Sequence, residues 1–165
     1  MLHKNISIVW CFLFFLALLN SCSKEKVTKS ESIINERSPT RTAEQLVASK
    51  KFAEMSYKQL MNILGSGMAM VQQGILMENK QMIMEGAGLI LNHAAPKENP
   101  WLIMNKQDQE GFKNSMLAYD LILDNYAKEI AEKVKEEDWL EVNKKTYELI
   151  NSCVVCHSLW RHKVK

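Results

Sequence analysis

Residues 138–161, DWLEVNKKTYELINSCVVCHSLWR from Asp138 to Arg161, carry the pattern on which the fold turns. Trp139, Val142, Thr146, Leu149, Cys153, Cys156 and Trp160 recur at intervals of three and four, the spacing of one face of an α-helix. Asp138 followed three residues later by Glu141 has the form of a capping box, which fixes the start of that helix. Two thiols, with His157 directly after the second, therefore lie on the inward seam of a long helix.

Three more helical segments are expected upstream. Phe112, Met116, Tyr119, Leu123, Tyr126 and Ile130 alternate spacings of four and three. Before them, about 76–95 carries Ile83, Ala87, Ile90 and Ala94 at helical spacing, and must stop near Pro96, where Pro96-Lys97-Glu98-Asn99-Pro100 reads as a loop. A first helix is expected over about 43–72, with Leu46, Ala53, Tyr57, Leu60, Leu64 and Met68 on one face. Gly65 and Gly67 each cost that helix about 1 kcal/mol against Ala, which points to close helix packing there. Scarce Gly and Pro and ten Met residues suit a helical core. The fold class expected is all-α, an antiparallel four-helix bundle over 43–165.

The N-terminus reads as a targeting segment. Lys4 precedes an apolar run from Ile6 to Leu19, the length of a signal-peptide core and short for a membrane span. The run ends in Leu19-Asn20-Ser21-Cys22, which resembles a lipobox. Residues 1–21 are thus expected to be a lipoprotein signal peptide, and Cys22 the lipidated residue that anchors the chain to a membrane. From there to about 42 the chain is polar and weakly periodic, a flexible tether reaching roughly 25 Å. Cys11 leaves with the signal, so Cys153 and Cys156 remain; two cysteines this close enclose almost no loop and make a poor staple. Net charge is +2, with 21 bases against 19 acids, which gives no electrostatic case for nucleic acid. The charge run from Lys133 to Asp138 reads as a solvated face near a turn.

Cys153-Val154-Val155-Cys156-His157 has the form of a c-type haem attachment site. Two thiols must add to the two vinyl groups, and an imidazole must sit under the iron. Cysteines three apart project from one helix face, and His157, four after Cys153, joins them there. Other uses of these residues are poorer matches. A redox Cys-x-x-Cys expects a βαβ setting. A zinc site from Cys153, Cys156, His157 and His162 asks one straight helix to wrap donors tetrahedrally around an ion.

Only eight residues follow His157 and none is Met, so a distal ligand must come from upstream. An exported four-helix bundle with this motif near its C-terminal end resembles the cytochrome c′ family, including its six-coordinate c556-type members, over about 43–163. The specific part is Cys153 to Arg161, because the family commonly has an aromatic residue and then Arg at three and four beyond the His; Trp160 departs from the more usual Tyr or Phe. The resemblance implies one covalent haem c, with thioethers at Cys153 and Cys156 and His157 as proximal iron ligand. It places Arg161 beside the proximal pocket, where it can steer a propionate; a cation favouring the helix C-terminus is the plainer role.

The family's distal residue lies on the first helix. Met61-Asn62-Ile63-Leu64-Gly65 resembles the Met-x-x-x-Gly run of six-coordinate members, making Met61 a candidate distal ligand. An alignment shifted by one residue matches Tyr57-Lys58-Gln59 instead and leaves a pocket walled by Tyr57, Leu60 and Leu64. His93 is a further candidate, or a helix-end residue interacting with the dipole. Met ligation raises the potential and closes iron to gases; an open site binds them. The expectation is a membrane-anchored monohaem electron carrier on the periplasmic side of a bacterial membrane, serving envelope redox partners. The alternative is a five-coordinate protein that binds nitric oxide or carbon monoxide. No acid, base or substrate-pocket signal suggests an enzyme, and the resembled family includes homodimers.

Overall fold

The computed structural model describes residues 41–165. The expected signal peptide, Cys22 and all but the last two residues of the expected tether lie outside them. Five α-helices appear among the described residues: α1 Ala43–Ser49, α2 Tyr57–Leu76, α3 Lys80–Leu91, α4 Gln109–Lys135 and α5 Trp139–Trp160. The chain is all-α, with two-residue strands β1 (Phe52–Ala53) and β2 (Ala95–Pro96) as its only sheet among those residues.

The single first helix expected over 43–72 is instead two. Thr42 caps α1, and its side chain and that of Gln45 satisfy each other's backbone N–H groups. Ser56 and Gln59 make the same reciprocal box at the start of α2. Between the boxes the chain runs extended and pairs in parallel with β2, Phe52 opposite Ala95 and Ala53 opposite Pro96. α3 ends at Leu91 rather than near 95, with Asn92 as its C-cap, and the chain is extended by Ala95, where Pro96 disfavours helical backbone. It also begins later than expected, at Lys80, because α2 runs on to Leu76 and Asn79 accepts a hydrogen bond from the Met82 N–H at 3.0 Å. The expected loop at 96–100 ends in a 3₁₀ turn, Pro100–Ile103.

The four longer helices contact one another in a ring: α2 on α3, α3 on α4, α4 on α5 and α5 on α2. Inside it Val71, Ile83, Ala87, Ile90, Ala127, Ile130, Val134, Val142 and Leu149 form one buried cluster. Each large aliphatic side chain buried there contributes about 1.5–3 kcal/mol. Gly67 on α2 and Gly86 on α3 let the two backbones touch. A Cβ on Gly86 would stand 2.5 Å from the Gly67 carbonyl oxygen, and one on Gly67 would stand 2.8 Å from that of Gly86. Close packing is therefore found at Gly67, whereas a Cβ on Gly65 would meet nothing within 4 Å.

The α2–α3 and α4–α5 turns share one device. Glu78 and Glu137 each adopt positive φ, 49° and 59°, just before the Asn79 and Asp138 caps. Lys80 pairs with Glu137 and ties the turns together. Asp138 accepts from the Glu141 N–H at 3.1 Å, the first half of the expected box, while the Glu141 carboxylate goes to Lys144. A second buried cluster forms from Ala43, Val47, Ala95, Trp101, Met104 and Phe112. The C-terminal residues close on it through a Met104–Val164 bridge and the Lys165 N–H, which donates to the Ile103 carbonyl at 3.0 Å.

Candidate functional site

A cavity of about 1020 Å³ lies where the two clusters meet, taking Ile90 from the first and Val47, Ala95, Met104 and Phe112 from the second. That is the upper end of the roughly 300–1,000 Å³ of small-molecule sites. α5 supplies Cys153, Cys156, His157 and Trp160 to its wall, with Arg161 just after it; α2 supplies Tyr57, Leu60, Met61 and Leu64. The residues singled out from the sequence on these two helices thus line one space. They converge because α2 packs on α5; Cys153, Cys156 and Trp160 are half-buried there, while His157 and Arg161 are exposed at the rim.

Both cysteines are free and half-buried. Burial pushes the Cys153 thiol up, and it pushes Cys156 up to about 11, with Cys153 adding to the effect. Thiols held protonated at neutral pH are poor nucleophiles, unlike those of a dithiol exchange site. Among the described residues no three His, Cys, Asp or Glu side chains stand together to hold a metal ion, so Cys153, Cys156, His157 and His162 make no tetrahedral donor set.

Tyr57 opens α2 and packs edge-on against Phe112, ring centres 6.0 Å apart; Phe112 packs edge-on against Trp160 at 5.5 Å. Burial raises the Tyr57 phenol, with Cys156 adding to it, so the hydroxyl keeps its proton and can donate. Leu60 is buried, while Met61 and Leu64 are half-buried. Gly65 follows them on the same wall with open space before it. Arg161 is the C-cap residue of α5, its N–H donating to the His157 carbonyl, and it also lines the cavity. The two roles weighed for it are thus compatible.

No family model, curated protein or solved structure matches the chain.

Sequence reasoning missed the polar part of the wall. Lys50, just after α1, places its Nζ 2.8 Å from Asp120 Oδ1 on α4, and His93 Nε2 lies 3.3 Å from the same oxygen. His93 Nδ1 lies 2.7 Å from the Ile90 carbonyl. Both ring nitrogens are engaged, so His93 is not offered as a free ligand. Burial pushes the Asp120 carboxyl up, but hydrogen bonds from His93 and Lys50 outweigh it and hold the group below the usual carboxylate range. One turn further along α4, burial and then the Asp120 charge raise Asp124. Its Oδ1 is buried with no hydrogen-bond partner. The available signal was two carboxylates, i and i+4, flanking the apolar seam of α4.

A covalent porphyrin fits these residues on three counts. The cavity is large and mostly apolar-walled. Two unpaired thiols and an imidazole share one wall. The Trp160 Nε1–H on that wall is a buried donor without an acceptor, suited to a carboxylate of the group.

Proposed function

We propose that this chain is a monohaem c-type cytochrome of the cytochrome c′ kind, an electron carrier of the bacterial envelope rather than an enzyme. The ring of α2, α3, α4 and α5 is read as an antiparallel four-helix bundle with the haem against α5. In this reading Cys153 and Cys156 would hold the group by thioethers, His157 would ligate its iron, and Arg161 and Trp160 would donate hydrogen bonds to its propionates. Met61, on the facing helix α2, would supply a second iron ligand. The bound haem supplies one-electron chemistry through its iron. The protein's residues hold and orient the group, and the walls of Leu60, Leu64 and Phe112 keep water from it. Lipidation of Cys22 tethers the domain to the periplasmic side of a membrane, where redox partners reach it; a homodimer is the assembly proposed.

The observation that carries the reading is the convergence of Cys153, Cys156 and His157 with Met61 and Leu64 on one large apolar cavity. The deciding experiment is expression in a host able to mature c-type cytochromes, followed by haem staining of the denatured polypeptide. Stain is expected on the wild-type band and lost when both Cys153→Ala and Cys156→Ala are present. A colourless wild-type band sinks the assignment.

The open space before Gly65 favours a second reading, in which nitric oxide or carbon monoxide binds beside Leu60 and Leu64 and Met61 stays off the iron. Absorption of the reduced protein with and without carbon monoxide separates the two. A low-spin spectrum indifferent to the gas supports Met61 ligation; a high-spin spectrum that shifts supports the open site.

A further inference from the structure

We infer that Lys50, His93, Asp120 and Asp124 make this chain a proton-coupled electron carrier, with Asp124 taking up one proton for each electron that enters. The inference rests on the haem reading above and adds a function to it. The cluster is assembled by three separate parts of the chain: the residue after α1, the segment after α3, and one face of α4. Lys50, His93 and Asp120 all line the cavity, so the cluster feels any change of charge there.

Within the cluster the partners are unequally shared. Asp120 Oδ1 receives both Lys50, at 2.8 Å, and His93, at 3.3 Å. The His93 ring is fully occupied between that oxygen and the Ile90 carbonyl. Asp124 is left with a buried oxygen that no donor reaches. The charges facing it are Asp120, Lys50, His93 and, on its own helix, Lys128. Asp120 repels it, and Lys50 and His93 are already committed to Asp120. An anion so placed is the least compensated member of the cluster and therefore the one that protonates. Its carboxyl is already raised by burial and by Asp120, in the direction this requires.

The step balances simply. A one-electron donor adds one negative charge at the cavity, and hydronium from solvent delivers one proton to form an O–H bond on Asp124. The summed charge of cavity and cluster is unchanged, and reoxidation releases both particles.

The test is the reduction potential of the haem-loaded full chain, measured spectroelectrochemically between about pH 5 and pH 9. The wild type is expected to fall with a slope approaching about 59 mV per pH unit, one proton per electron, across part of that range. Asp124→Asn is expected to flatten the slope while leaving haem attachment intact. A second readout uses the wild type: the reduced-minus-oxidised infrared difference spectrum should gain a protonated-carboxyl band that shifts in deuterium oxide. A flat wild-type potential, no such band, or a slope that persists in Asp124→Asn overturns the inference alone. A wild-type chain that takes up no haem overturns the reading beneath it as well.

Discussion

Asp120 and Asp124 are one turn apart on α4 and burial raises both carboxyls, yet the hydrogen bonds that Lys50 and His93 give to Asp120 alone leave the pair with opposite effects on stability. The folded Asp120 carboxyl lies below its ordinary value because Lys50 and His93 hold it, so in acid the unfolded chain binds the extra proton. Its contribution is present above the ordinary carboxylate value and fades as pH falls through the folded value. Asp124 is raised, so the folded chain binds the extra proton, and stability falls as pH climbs from the ordinary value through the raised one. Urea unfolding over a pH series should therefore show Asp120→Asn about 2 kcal/mol less stable at neutral pH, with the gap closing in acid. Asp124→Asn should be more stable than the wild type at neutral pH and match it in acid. Equal effects of the two variants at every pH would contradict these assignments. The convergence of Cys153, Cys156 and His157 on one wall was legible from the sequence because all three lie within five neighbouring residues. The carboxylate pair was not, because Lys50 and His93 meet it only through the fold.

At the scale of elements, the inward seams of α4 and α5 follow the sequence pattern, and the N-terminal helix does not. Leu46, Ala53 and Tyr57 keep a spacing compatible with one helix across a break, and periodicity alone cannot see a cap. Ser56 and Gln59 were the signal that could have placed it. The α2–α3 contact was half legible: small residues announced a close approach, but only the partner helix distinguishes Gly67 from Gly65. The same distinction yields a prediction within α3. Gly86→Ala drives a methyl into the Gly67 carbonyl and Val71, and should cost about 3 kcal/mol. Gly88→Ala meets nothing within 4 Å and should gain about 1 kcal/mol from helix propensity. Thermal or urea unfolding of the two variants checks this, and similar losses in both would show that the backbones do not touch at Gly86.

Over the whole molecule, two buried clusters flank the cavity, and helix α5 runs from the first to its wall. On the haem reading proposed above, a group bonded to α5 and packed against α2 and α4 would join them, so haem loading should stabilise the cluster around Trp101 and Phe112 most. Hydrogen exchange of the wild type against the Cys153→Ala, Cys156→Ala double variant should show protection lost in α1 and the last turns of α5. The α2–α3 turn, tied by Lys80 and Glu137, should change little. Uniform loss along the chain would contradict the two-cluster picture. The order of the elements has a further consequence for biosynthesis. Ribosomes release a polypeptide from its N-terminus, so α2, α3 and α4 emerge while Cys153 and Cys156 are still inside. The receiving walls have a head start over the thiols they face. Any enzyme that fastens a porphyrin here must either outrun the closing of those walls or prise them apart.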